Sequence, residues 1–275
     1  MAIGDYYSFI SNNKISKTVY RILGIGDLHT HIRLKPMLSF LKYYFNNNLT
    51  SSMKVVELGC GSGINAFEIY KIAKKFNIDL YYIGVDLSQN GIDTANKILQ
   101  SVKDKDIKRK IVFYQEDANI FLENHNGPQA DIILLIDIIE HIRDPEKLIH
   151  LSKKILKNKG LFIVSIPTPL YPKFFGRDFH DKIGHLVDGY SLDQLDRLFE
   201  KLNCERIIYK YNTGLLSNIG CWLYYNKLSF NNKYFNFLKS IALYPFKFLD
   251  IYNNSSISCS LFAVYKNKII RSLNV

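Results

Sequence analysis

The chain of 275 residues suits one large α/β domain with elaborations, and its 47% apolar and 22% charged residues bury a full core and exclude wholesale disorder. A formal charge of +11, from 36 basic and 25 acidic side chains, favours an anionic partner (phospholipid surface, nucleic acid or phosphorylated substrate), with a solvated basic surface as the plain alternative. Four widely spaced cysteines, Cys60, Cys204, Cys221 and Cys259, exclude a disulfide framework or a thiolate zinc site and fit a reducing, cytoplasmic compartment.

In chain order, MAIGDYYSFI lacks a charged start followed by an apolar core, so no signal peptide is expected. Nor does any apolar run reach the ~18 residues of a spanning helix. Residues 1–50 read as a helical extension and include the semi-polar stretch LGIGDLHTHIRLKPMLSFLKYYF. Short apolar runs then alternate with segments of helix length. Strands are expected at Lys54–Leu58, Leu80–Asp86, Lys110–Glu116, Asp131–Asp137 and Gly160–Ile166. Helices are expected over Gly63–Phe76, Ser88–Val102 and Pro145–Lys157, the last capped by Asp144, opened by Pro145 and stopped by Gly160. The basic run KDKDIKRK, Lys103–Lys110, is interrupted by acids and reads as a loop. A helix over Ser191–Leu202 and strands at Glu205–Tyr211 and Ser256–Tyr265 complete the pattern.

Near-continuous apolar strands alternating with helices predict an α/β fold: a Rossmann-like, mostly parallel sheet of seven strands with helices on both faces. Residues 51–212 and 255–268 form its core, and residues 213–254 an aromatic, lysine-bearing helical insertion. That insertion suits a lid, a dimer face or a helix lying on an anionic membrane surface. Ligands on such sheets sit beyond the carboxyl ends of the strands, where strand order reverses.

The first strand runs into ELGCGSG, with glycines at 59, 61 and 63 and an acid, Glu57, two residues ahead. This GxGxG spacing differs from the GxGxxG of dinucleotide sites, and an acid beside the loop suits a cationic ligand better than a pyrophosphate. Asp86 ends the second strand, where a carboxylate meets ribose hydroxyls. Asp117 follows the third, where it either faces an adenine amino group or caps the next helix. Acids at three consecutive strand ends describe a nucleoside site without a phosphate.

ELGCGSG, GVDLS, EDA, DIILLIDIIEHIRDP and LKNKGLFIVSIP, in this order over about residues 50–212, resemble the motifs of class I S-adenosylmethionine methyltransferases. The resemblance implies that Glu57, Gly59, Gly61 and Gly63 surround the methionine portion of S-adenosylmethionine and that Asp86 and Leu87 meet its ribose. It implies also that Asp117 and Ala118 border the adenine, and that Ile136 and Asp137 close the site. EHIRDP resembles the same segment of quinone-biosynthesis O-methyltransferases, where this region approaches the acceptor. GH…GYS…LFE resembles a stretch of sugar, lipid and quinone methyltransferases that covers the active site.

A hydroxyl acceptor must lose a proton, so His141 and His185 are candidate catalytic groups. Asp181 joins them, because it would face His185 at i,i+4 if that stretch is helical. The loop also carries Arg177, Asp178, His180 and Tyr190 to the rim, and one Glu-His pair, Glu140 and His141, does not predict a metal. The expected activity is O-methylation of a small-molecule, glycan or lipid-linked acceptor by a cytoplasmic protein, with contact to the inner face of the membrane as an option. Three alternatives stand. An RNA methyltransferase is disfavoured by the absence of a separate RNA-binding module, and an NAD-dependent oxidoreductase by the glycine spacing. A non-catalytic relative that binds the cofactor is the third.

Overall fold

A computed structural model describes residues 14–23, 28–48, 50–223, 238, 241–247, 250 and 253–268. Helices α1 (Lys14–Leu23) and α2 (Leu28–Asn47) come first. Strand β1 (Ser52–Leu58), helix α3 (Ile64–Lys75), β2 (Asp79–Asp86), α4 (Gln89–Ser101), α5 (Lys105–Lys110) and β3 (Ile111–Gln115) follow. Next are α6 (Ala118–Asn124), β4 (Ala130–Ile136), α7 (Pro145–Lys154) and β5 (Leu156–Pro167). Helices α8 (Tyr171–Phe175), α9 (Arg177–Lys182) and α10 (Leu192–Glu200), strand β6 (Cys204–Tyr211), α11 (Leu215–Trp222) and β7 (Ser260–Asn267) complete the set.

The seven-stranded sheet has the order β3-β2-β1-β4-β5-β7-β6, parallel except for β7, which runs antiparallel to both β5 and β6. The expected Rossmann-like sheet is therefore present, and strand order reverses between β1 and β4, which opens a crevice at their carboxyl ends. β4 and β5 lie at the centre of the sheet. The run Gly160–Pro167 of β5 is buried throughout, as a strand covered on both faces must be.

Helix α2 is part of that core. Leu34, Met37, Leu41 and Phe45 recur at helical spacing, and all are buried in the same cluster as Val55 of β1 and Phe67 of α3. Met37 and Leu41 have no exposed surface at all, so removing either side chain by truncation would cost about 2–5 kcal/mol. This packing fixes the first turns of α2 over the crevice.

Two local expectations are corrected. The stretch Lys105–Lys110 is a helical turn, not a loop: Asp104 accepts from the Asp106 N–H at 3.0 Å, Ile107 is buried, and Lys110 pairs with Asp79 and Asp106. Its acids cap and brace the turn instead of interrupting it. Gly160 does not stop α7, which ends at Lys154 with the Ile155 N–H donating to Ser152. The glycine lies inside β5, where a Cβ would come within 2.6 Å of Leu156. Asp144 and Pro145 open α7 as expected, with the Asp144 carboxylate accepting from the Lys147 N–H at 2.9 Å.

The four cysteines form no disulfide and are buried. Of the 213–254 insertion, α11 is described, its first turn capped by Asp250 through the N–H groups of Gly214 and Ser217. Most of the remaining insertion, and with it the expectation of a lid, dimer face or membrane-surface helix, lies outside the described residues. No described helix is long and apolar enough to cross a membrane.

Candidate active site

The loop between β1 and α3 is tied to β2 at three points. The N–H groups of Gly59 and Cys60 donate to the Val85 carbonyl at 2.8 and 3.1 Å. The Gly61 N–H donates to Asp86 Oδ2 at 2.6 Å, while the other oxygen accepts from Ser88 N–H at 2.8 Å. Asp86 thus locks the loop to the second strand. Gly61 and Gly63 both have left-handed φ, +51° and +72°, for different reasons. Above Gly61 there is open space for a ligand, whereas a Cβ on Gly63 would press within 2.6 Å of the Phe113 ring. Gly63 therefore serves the packing of α3 onto the sheet.

Beside the loop is a cleft of about 240 Å³. Glu57, Gly59, Gly61 and Asn65 line one side, Ile136 and Asp137 the β4 side, and Arg33 of α2 stands over it. Glu57 is almost wholly buried, and its carboxylate accepts from the Tyr82 hydroxyl and the Asn65 amide. Burial raises its pKa to about 7, against the opposing effect of those two donors. Asn65 Oδ1 is buried without a hydrogen-bond partner. Arg33 pairs with Asp137, which sits just past β4 at a left-handed φ of +55° with its N–H on the Ser165 carbonyl at 2.8 Å.

A second group lies on the other side of Arg33. A short 3₁₀ turn, Ile139–His141, follows β4, and the loop after α9 folds back on it, with the Leu186 N–H donating to the Glu140 carbonyl at 2.9 Å. His141 Nδ1 is 2.9 Å from the Gly184 carbonyl. A carbonyl can only accept, so this nitrogen carries the proton and Nε2 keeps the lone pair. The His185 ring packs on those of His141, His180 and Tyr171, with centroids 4.8, 5.0 and 5.3 Å apart. Burial, then the neighbouring His141, His180 and Arg33, push His185 down to about 3, so its ring is neutral at working pH. Glu140 is fully buried, both its oxygens lack hydrogen-bond partners, and burial pushes its pKa up against the pull of Arg33 and His141. Ligand atoms of Glu140, His141 and His185 all fall within 4.8 Å of one another, a mixed oxygen and nitrogen set able to hold a divalent cation.

The family model for the methyltransferase domain matches residues 29–208. The chain belongs to this family, the class I S-adenosylmethionine-dependent methyltransferases. The methyltransferase is 28% identical over 144 residues to a ubiquinone biosynthesis O-methyltransferase of Pasteurella multocida, covering 51% of this chain and 56% of the relative. It is 29% identical over 142 residues to one from Rickettsia bellii, covering 51% and 52%. The chain thus spans about half the length of these curated relatives. Its fold is similar to that of a plantazolicin methyltransferase in complex with a triazolic desmethyl analogue and SAH, with TM-score 0.57, 15% identity, and 96% and 95% of the two chains covered. It is also similar to magnesium protoporphyrin IX methyltransferase from Synechocystis with bound SAH, with TM-score 0.52, 14% identity, and 94% and 89% covered.

Of the cofactor residues expected from sequence, the methyltransferase brings Glu57, Gly59, Gly61, Ile136 and Asp137 to one cleft, with Asp86 bonded to its loop. Leu87 is 69% exposed beside it. Asp117 caps α6, accepting from the N–H groups of Asn119 and Ile120 at 2.8 and 3.3 Å, and Ala118 opens that helix. The candidate catalytic residues His141 and His185 meet as ring neighbours. The facing of Asp181 and His185 is corrected: α9 ends at Lys182, Gly184 turns the chain at φ +80°, and Asp181 Oδ1 lies 2.9 Å from His180 Nδ1. Arg33, Asn65 and Tyr82 escaped the sequence reading. Asn65 lies two residues past the glycine loop and was within reach of it, whereas nothing local links Arg33 or Tyr82 to the cleft.

Proposed function

We propose that this methyltransferase carries the methyl group of S-adenosylmethionine to an oxygen of a small-molecule, glycan or lipid-linked acceptor. The residues present fit the cofactor: an open glycine turn, a buried acid for a cationic group, Asp86 at the ribose position, and Arg33 as the counter-charge to a carboxylate. The bound cofactor supplies a sulfonium methyl, and the protein supplies alignment and a dry pocket.

The observation that carries the acceptor side is the fixed tautomer of His141. Its Nδ1–H is engaged by Gly184, so Nε2 is free to take the acceptor's proton as the oxygen gains its methyl group. His185, held neutral, orients the acceptor, and Asp181 acts at one remove through His180. The oxygen-methylating relatives support oxygen as the target atom. The test is transfer of a labelled methyl group to phenolic, quinol and sugar acceptors. His141→Gln should lower kcat about 100-fold while leaving the cofactor Kd unchanged. Undiminished kcat in the variant would remove His141 from the chemistry.

The unpartnered oxygens of buried Glu140 favour a second element, a divalent cation held by Glu140, His141 and His185. It would then compete with the acceptor's proton for the His141 Nε2 lone pair. Chelator treatment followed by metal titration separates the two: loss and recovery of activity selects the cation, and indifference to chelator selects the free imidazole.

A further inference from the structure

A groove of about 430 Å³ lies where α2 packs on α3, and it shares no lining residue with the cleft beside the glycine loop. Half-buried Leu38 of α2 and buried Ile72 of α3 give it an apolar part. Around them stand four lysines, Lys42 from α2 and Lys71, Lys74 and Lys75 from α3, against one acid, Glu68. Lys74 is already neutralised, its Nζ donating to Asp104 Oδ2 at 2.7 Å. The ammonium groups of Lys42, Lys71 and Lys75 have no ion pair or hydrogen bond among the described residues.

The helix dipole accounts for Lys74 and Lys75, in the last turn of α3. It accounts neither for Lys71, a turn earlier and half-buried, nor for Lys42, which comes from another helix. Core packing holds this convergence in place. Met37 and Leu41 of α2 are buried in one cluster with Phe67 and Ile72 of α3, so the helices cannot part to relieve repulsion between like charges. Three uncompensated cations around one concavity raise the local potential and draw in an anion. The volume is that of a site for a whole small molecule, well beyond a single inorganic ion.

We propose that this groove binds a ligand carrying two or more phosphate charges, with Lys42, Lys71 and Lys75 on the phosphates and the ligand's remaining part against Leu38 and Ile72. Lysine serves here as a mobile point charge whose alkyl stem lines the groove while its head meets the anion. Soluble polyphosphate esters and the headgroups of phosphate-bearing lipids offer the same chemistry.

The experiment is calorimetric titration of the full chain with tripolyphosphate, beside co-sedimentation with phosphatidylcholine vesicles that contain or lack phosphatidic acid. Wild-type protein should bind one tripolyphosphate, and bind it more weakly as sodium chloride is added. Lys71→Ala with Lys75→Ala should weaken it about tenfold, and Lys42→Glu by at least as much. A control with Lys201→Ala and Lys210→Ala, which removes the same charge far from the groove, should change Kd less than about twofold. All three variants should keep the wild-type melting temperature and the wild-type affinity for S-adenosylmethionine. Capture on phosphatidic acid vesicles that the groove variants lose would identify a lipid headgroup as the ligand's source. Tripolyphosphate binding without vesicle capture would identify a soluble one. The proposal is overturned if neither probe binds saturably, if the groove variants bind as wild type does, or if the control loses as much affinity as they do.

Discussion

The two sides of the cleft are built in opposite ways. On the side proposed for the cofactor, Glu57, Gly59, Gly61, Asp86 and Asp137 stand at or just past the ends of three neighbouring strands, held by hydrogen bonds between adjacent turns, with Asn65 in the first turn of α3. On the side proposed for the acceptor, Glu140 and His141 come from a turn after β4 and Tyr171, His180 and His185 from the long connection after β5, while Arg33, from a helix that precedes the sheet, stands between the two. The first side is made by sheet topology and the second by tertiary packing. A binding site for an invariant ligand suits the former, and a site that must fit a particular acceptor suits the latter, where loops vary without disturbing the strands.

Three experiments sharpen that contrast. The largest effect should come from Leu41→Ala, because α2 serves both sides: loss of a fully buried leucine should lower stability by about 3 kcal/mol in denaturant titration. A loss below about 1 kcal/mol would mean that α2 is an appendage and not part of the core. Asp86→Ala should weaken S-adenosylmethionine about 100-fold by calorimetry, since it removes the carboxylate proposed to meet the ribose and frees the Gly61 N–H together. Its melting temperature should move far less than that of Leu41→Ala, and an equal fall would show that the carboxylate acts mainly through folding.

The smallest effect concerns His185. Its folded pKa of about 3 lies below the ordinary 6.5, so the unfolded chain binds the extra proton. The ring therefore withdraws stability progressively as pH falls from 6.5 towards 3. His185→Asn should show a shallower decline of melting temperature over that window. A decline as steep as wild type would show that this ring does not titrate on unfolding.

The same contrast explains what could be read in the sequence. The glycines, Glu57 and Asp86 declare themselves because a turn and the next strand end are fixed by local chain geometry. Gly63 was legible as part of that turn, but its work is to admit the Phe113 ring, a partner 50 residues away. Asp117 carried two readings, and its bonds to Asn119 and Ile120 support the cap. Arg33 was invisible because only the burial of Met37, Leu41 and Phe45 decides where its helix lies. Asp181 and His185 stood at helical spacing, but the helix stops between them, at Lys182, and Gly184 turns the chain away.

The antiparallel β7 strand also imposes an order on biosynthesis. It lies between β5 and β6, yet it is translated last, after residues 212–259 have been made. Until it arrives, the nascent sheet ends at β5 with an open apolar edge from Leu161 to Pro167, and β6 has no neighbour to pair with. That interval exposes two unpaired strand edges in one chain, the condition that favours mispairing and aggregation. Ribosome-bound chains halted before Ser260 should therefore engage chaperones far more than chains that have released Asn267.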